Sequence, residues 1–83
     1  PDPEIYHLAM ARLGVDPEQV IIIEDSPIGA KAAMDSGASW ILVSTPFSRT
    51  AVEATSWLDT QWVVHDPAKL SETVNRRIEA VGS

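Results

Sequence analysis

The sequence predicts an α/β fold in which a small parallel sheet carries helices on both faces. Short apolar runs alternate along the chain with segments whose apolar residues recur at three- and four-residue spacing. The connections between the runs have the length of a helix, as parallel strands require. The first two runs are also unbroken, which is typical of strands covered on both faces. The predicted order of elements is αβαβαβα.

The first helix is predicted to begin at Asp2-Pro3-Glu4 and to end at Gly14. A capping side chain, a proline in the first turn and an acid near the positive end of the helix dipole are typical of a helix start. Glycine is the usual terminating residue. The apolar positions between them have helical spacing and are expected to face the core: Ile5, Leu8, Ala9 and Leu13.

A strand, a tight turn and a second helix follow. The β-branched run Val20–Ile23 is the predicted first strand, and Ser26-Pro27 is a second cap-plus-proline signal. The helix is expected to end at Gly37. Small side chains allow it to approach the sheet closely: Ala30, Ala32 and Ala33.

The pattern then repeats in type. Trp40–Val43 is the second predicted strand, Arg49–Leu58 a weaker helix and Trp62–Val64 a short third strand. The cap-plus-proline signal returns at Asp66-Pro67, ahead of a last helix. Its apolar stripe consists of Leu70, Val74, Ile78 and Val81. The three tryptophans are expected in the core, and His7 and His65 on the surface. Together these elements predict a partial Rossmann-like core with three parallel strands.

Composition narrows the classes of function. The chain has 83 residues, no cysteine and a formal net charge of −6, which suits one small domain without disulfides or thiolate metal sites. The acidic balance argues against binding to nucleic acid, which normally needs a basic stripe. No apolar run approaches the roughly 20 residues of a membrane span, and no targeting leader is recognisable. A soluble, cytoplasmic protein is expected.

The first strand is expected at an edge of the sheet. Right-handed crossovers that step in one direction place it there. The run Val20–Ile23 is more apolar than exposed edges usually are, because edges are normally blunted by charge or proline. We therefore expect this strand to pair with another copy of the chain or with a missing part of its own fold.

Two adjacent acids, Glu24 and Asp25, follow the first strand. Ligands of parallel α/β sheets bind beyond the carboxyl ends of the strands. Two neighbouring carboxylates repel each other, and the nearest cation in sequence is Lys31. Mg²⁺ would offset them better, since it prefers one or two carboxylates and often bridges to a phosphate. The spacing alone equally fits an ordinary strand end with Ser26 as a helix cap.

A longer stretch resembles a known family. Residues 24–37 read Glu24-Asp25-Ser26-Pro27-x-Gly29-x-x-Ala32-Ala33-x-x-Ser36-Gly37. This stretch closely resembles the last motif of the haloacid dehalogenase-like hydrolases, in the branch that contains β-phosphoglucomutase and many sugar-phosphate phosphatases. The segment Pro1–Tyr6 is similar to the end of that family's Lys-Pro-x-Pro-(Asp/Glu)-x-(Phe/Tyr) motif, and Trp62–Leu70 is similar to its last strand and helix. Ser36 and Ala38 depart from the residues usual there.

The resemblance implies a Mg²⁺-dependent phosphatase or phosphomutase that acts on a small phosphate ester through an aspartyl-phosphate. Glu24 and Asp25 would hold the metal, with Ser26 and Gly29 behind them at the helix N terminus. The family's Asp-x-Asp nucleophile motif, its Ser/Thr motif and its cap domain are absent, and its lysine would immediately precede Pro1. Residues 1–83 are therefore predicted to be the C-terminal portion of a core domain, with no catalytic residue and no activity alone.

Two other classes of function remain open at this point. In a phospho-receiver signalling domain, an acid pair also ends the first strand, and Asp66 would then be the phosphorylated residue. A non-catalytic module could instead bind a partner through its exposed sheet edge.

Overall fold

The computed structural model describes residues 2–82 and contains one three-stranded parallel sheet with the strand order β1-β2-β3. The strands are β1 (Ile21–Glu24), β2 (Ser39–Val43) and β3 (Val63–Val64), and the helices are α1 (Glu4–Leu13), α2 (Pro27–Asp35), α3 (Arg49–Glu53) and α4 (Leu70–Gly82). The α/β class and the alternating order are confirmed. Pro1 and the side chain of Val81 lie outside what the structure describes.

The core is built around the central strand. Ile41 and Leu42 are the largest fully buried side chains. Successive residues of a strand point to opposite faces, so both faces of β2 are covered. The helix α2 packs against β1 and β2, and α4 packs against β2. Ala30 and Ala33 are fully buried, as expected for a helix that lies close to a sheet.

Helix α1 has the predicted ends but not the predicted buried face. The amide of Glu4 donates to Asp2 Oδ1 at 2.9 Å, although Pro3 is the residue at the cap position, and Gly14 ends the helix at φ +69°. Three of the predicted core residues are instead exposed: Ile5 by 70%, Leu8 by 54% and Leu13 by 74%; Ala9 is exposed too. Met10 is buried instead, and Tyr6 packs against the core cluster. Helical spacing identifies an apolar stripe but does not say which neighbour covers it.

The third predicted helix is shorter in the structure. Helix α3 ends at Glu53 rather than Leu58, and the hydroxyl of Thr55 donates to the carbonyl of Ala51 at 2.6 Å. Such a side chain competes with the backbone for a helical carbonyl and disfavours continuation. The chain then turns inward and buries Leu58.

The boundaries of the outer strands also differ from the predictions. Strand β1 is shifted by one residue, so that Glu24 pairs with Leu42 inside the sheet. Strand β3 loses Trp62 to a short 3₁₀ helix, Thr60–Trp62. The remaining short 3₁₀ helices are Pro17–Gln19 and Pro67–Lys69.

The tryptophans divide between core and surface. Trp40 and Trp62 are buried as predicted, but Trp57 is 41% exposed and places its ring edge against Trp40, with 6.1 Å between the ring centroids. The Trp62 ring is covered by the guanidinium groups of Arg77, at 4.2 Å from the ring centroid, and Arg76, at 5.5 Å. Burial lowers the pKa of Arg77.

Strand β1 is at an edge of the sheet that residues 2–82 form, as predicted. Ile23 on this strand is 50% exposed. No helix within the described part of the chain is long and apolar enough to cross a membrane.

Candidate functional site

The acid pair lies at the carboxyl edge of the sheet, where the sequence places it. Glu24 is the last residue of β1, and Asp25 and Ser26 connect it to α2. Because the strands are parallel, the loop that follows β2 reaches the same edge. An open cavity of about 600 Å³ lies between this turn and that loop. It is lined by Asp25, Ser26, Pro27, Ile28, Thr45, Phe47, Ser48, Ala51 and Thr55.

Glu24 is held by two other elements of the fold. Its Oε2 accepts a hydrogen bond from the hydroxyl of Tyr6 on α1 at 2.5 Å. Its Oε1 lies against Gly29 in the first turn of α2, and a Cβ atom on that glycine would stand only 1.8 Å away. The carboxylate therefore occupies the space that any larger residue would need at Gly29. The side chain is half-buried and does not line the cavity.

The contact with Glu24 changes the acidity of Tyr6. It raises the pKa of Tyr6 to about 12, first because the hydrogen bond to Glu24 stabilises the neutral phenol. Burial of the ring and repulsion between a phenolate and the carboxylate act in the same direction. The phenol thus stays protonated, and remains a donor, throughout the physiological pH range.

Asp25 is exposed and has its carboxylate free. Among residues 2–82, no hydrogen bond or ion pair engages it. Lys31, the nearest cation in sequence, instead forms an ion pair with Asp35 at 2.7 Å. Within the described residues the acid turn is therefore not neutralised by a cationic side chain, and an opening remains at Asp25.

Ser26 and Gly29 form the start of α2. The amide of Gly29 donates to Ser26 Oγ at 3.1 Å, and Pro27 occupies the first helical position. The predicted cap is confirmed in this geometry.

The donor set suits part of a Mg²⁺ site. Carboxylate oxygens are the ligands that Mg²⁺ takes from proteins, usually one or two of them together with waters and substrate phosphate. Within residues 2–82, no group of three His, Cys, Asp or Glu side chains could hold a metal ion. The two carboxylates of the turn, Glu24 and Asp25, could supply ligands to such a site, and the remaining ligands would have to come from elsewhere.

The other candidates have structural roles in the described chain. Asp66 accepts the amide of Ala68 at 3.0 Å as a cap and does not line the cavity beside Asp25, so its geometry does not favour a receiver domain. His7 and His65 are exposed, as predicted.

Sequence reasoning missed the hydrogen bond between Ser44 Oγ and His65 Nδ1, at 2.6 Å. The available signal was that Ser44 and His65 each follow one of two neighbouring parallel strands.

A parallel sheet with an exposed acid turn at its carboxyl edge defines an α/β protein. Comparison with known families identifies the family within this class. Residues 1–43, just over half of the chain, match the model of the haloacid dehalogenase-like hydrolases. The protein belongs to this family. The suspected resemblance is thereby confirmed, and so is the assignment to a hydrolase family that contains phosphatases.

Several curated proteins match part of the chain. It is 44% identical over 48 residues to a CBBY-like protein of Arabidopsis thaliana, a match that covers 58% of the chain and 15% of that protein. It is 54% identical over 37 residues to the phosphorylated carbohydrates phosphatase of Thermotoga maritima, covering 45% and 17%. It is 38% identical over 52 residues to the validoxylamine A 7'-phosphate phosphatase of Streptomyces hygroscopicus subsp. limoneus, covering 63% and 24%. The chain thus spans less than a quarter of each of these relatives. No solved structure matches it significantly.

Proposed function

We propose that the chain supplies the acidic, Mg²⁺-holding turn of a haloacid dehalogenase-like phosphatase or phosphomutase. The observation that carries the proposal is the free carboxylate of Asp25 at the carboxyl edge of the sheet, beside a cavity of about 600 Å³. The family assignment supports it, and so do relatives named as phosphatases. The substrate class that these names favour is a small phosphate ester, such as a phosphorylated carbohydrate.

The residues of the turn divide into two pairs in this proposal. Glu24 and Asp25 would hold the ion, and Ser26 and Gly29 would fix the start of α2. Bound Mg²⁺ would supply screening of the phosphate charge, so that an anionic nucleophile can approach. The resemblance implies that this nucleophile is an aspartate that forms an aspartyl-phosphate and is not among residues 1–83.

It follows that the 83-residue chain should be inactive alone, as the C-terminal portion of a larger core domain. Purified chain with Mg²⁺ should not hydrolyse p-nitrophenyl phosphate, and robust turnover would contradict the proposal. In an intact protein that contains this chain, Asp25→Asn should abolish Mg²⁺-dependent phosphate release. Asp35→Asn is the matched control, because Asp35 is an acid of similar exposure at the far end of α2, paired with Lys31. Equal effects of the two substitutions would contradict the assignment.

We also propose that the free edge of β1 pairs with a further strand. Ile23 on this edge is 50% exposed, and the stripe of Ile5, Leu8 and Leu13 on α1 is uncovered in the described chain. Both are surfaces that folded domains normally cover. In the isolated chain the occupant would be a second copy, so sedimentation should show association that Ile23→Lys suppresses. A well-folded monomer at high concentration would contradict this pairing.

A further inference from the structure

We propose that the protein binds a small oxyanion of the phosphate type in a second cavity, away from the acid turn. This open cavity of about 480 Å³ lies between the loop that follows β2 and the loop that follows β3. Its volume is within the roughly 300–1,000 Å³ of small-molecule sites. It is lined by Ser44, Thr45, Pro46, Arg49, His65 and Pro67, and we call it the basic cavity.

The basic cavity is cationic although the formal net charge of the chain is −6. Arg49 and His65 line it, and no acid does. Arg49 is exposed, and among residues 2–82 it forms no ion pair, not even with Glu53 one turn further along α3. Asp66, next to His65 in sequence, accepts the amide of Ala68 at 3.0 Å and does not line the cavity. A guanidinium without a carboxylate partner offers the planar set of donors that oxyanions bind.

The hydrogen bond between Ser44 Oγ and His65 Nδ1, at 2.6 Å, holds the imidazole of His65 beside this cavity. Ser44 is buried, and no other hydrogen bond engages its hydroxyl among residues 2–82, so the hydroxyl donates to Nδ1. The neutral ring then carries its proton on Nε2. Nε2 is therefore an N–H donor in both the neutral and the protonated ring, and it is the ring nitrogen left for a ligand. Ser44 acts on the ligand through His65 and is a positioning residue.

The basic cavity is separate from the cavity beside the acid turn. Of the described residues that line either cavity, only Thr45 lines both, and none of the acid-turn residues lines the basic cavity. Binding there needs no metal ion, so this proposal does not depend on the proposed function. Pro46 and Pro67 fix the backbone angle φ in the two loops that form the walls. Such walls are largely formed before a ligand arrives, which lowers the entropy lost on binding.

The test is a titration of the 83-residue chain with inorganic phosphate, followed in NMR spectra by the ring signals of His65 and the side-chain N–H signal of Arg49. EDTA keeps divalent metals out, and sodium chloride at matched ionic strength measures general screening. Phosphate should shift both signals to saturation, and chloride should not. A parallel titration with methyl phosphate distinguishes the sources of the ligand, because equal affinity assigns the site to phosphate esters as well and weaker binding assigns it to free phosphate. Failure of both ligands to shift the signals would overturn the proposal.

Substitutions assign the effect to the basic cavity. Arg49→Gln should weaken phosphate binding by about tenfold or more, because a charge-assisted contact is lost. His65→Gln should weaken it about three- to tenfold.

Ser44→Ala should weaken binding about threefold and, without any phosphate, change the ¹⁵N signal of His65 Nδ1, which a merely structural role would not move. Arg12→Gln is the matched control, since Arg12 is also exposed and does not line the cavity, and it should change the affinity by less than about twofold. Equal losses in Arg12→Gln and Arg49→Gln, or shifts that chloride reproduces, would overturn the proposal.

Discussion

Replacing Gly29 with alanine tests the contact on which the acid turn depends. The new Cβ would stand 1.8 Å from Oε1 of Glu24 and 2.5 Å from its Cδ. The obstructing atoms are the end of a flexible side chain, so the carboxylate can swing aside. In doing so it gives up the hydrogen bond from Tyr6.

The change in the free energy of unfolding follows from two opposing effects. A hydrogen bond to a charged group contributes about 1.5–3 kcal/mol, and the half-buried position of Glu24 favours the lower end. Alanine in place of glycine in a compatible helix stabilises by about 0.4–1 kcal/mol, chiefly by restricting the unfolded chain. Gly29→Ala should therefore lower the free energy of unfolding by about 0.5–1 kcal/mol. For a domain of this size each kcal/mol lowers the melting temperature by roughly 4–8 °C.

The assay is urea unfolding followed by circular dichroism, in the natural background and in a Glu24→Ala background. Without the carboxylate the obstacle is gone, so Gly29→Ala should become stabilising by about 0.4–1 kcal/mol. Gly14→Ala is the control: Gly14 has φ +69° and nothing within 4 Å, so alanine there is strained by about 1–2 kcal/mol in both backgrounds. A loss from Gly29→Ala that does not depend on Glu24 would refute the reasoning.

Three further outcomes are expected. Leu42→Ala should lower the free energy of unfolding in urea by about 2–5 kcal/mol, because Leu42 is fully buried. Leu13→Ala, at a position that is 74% exposed, should change it by no more than about 0.5 kcal/mol. Similar values for the two variants would contradict the described core. Stability should fall as the pH rises from about 10 to about 12, because the pKa of Tyr6 is higher in the folded chain than in the unfolded chain. Tyr6→Phe should remove this part of the pH dependence. An unchanged alkaline profile in that variant would contradict the hydrogen bond between Tyr6 and Glu24. Arg77→Gln should cost about 0.5–2 kcal/mol and alter the fluorescence of Trp62, whose ring centroid lies 4.2 Å from the guanidinium; no spectral change would contradict that stacking.

Local signals in the sequence were sufficient to predict the order of the elements and the position of the acid turn. Cap-plus-proline pairs and unbroken apolar runs depend on neighbouring residues only, and the carboxyl end of a parallel strand places Asp25 without further information. The position of Ser26 as a helix cap follows from the same local chemistry.

The features that were missed depend on contacts between distant segments. The buried face of α1 is set by what lies beside the helix, so periodicity predicted Ile5 and Leu8 to be buried where the described chain buries Met10. The bond between Tyr6 and Glu24 joins residues eighteen positions apart, and no pattern at that spacing reveals it. The early end of α3 reflects competition from a single hydroxyl, that of Thr55.

The central position of β2 has a consequence for how the molecule opens. This strand is hydrogen-bonded on both sides and carries Ile41 and Leu42, while β3 contributes only two residues and β1 is at an edge of the described sheet. Local fluctuations should release the outer strands first. Amide protons within β2 should then exchange with solvent only when the whole chain unfolds, and their slowest rates would report its global stability directly.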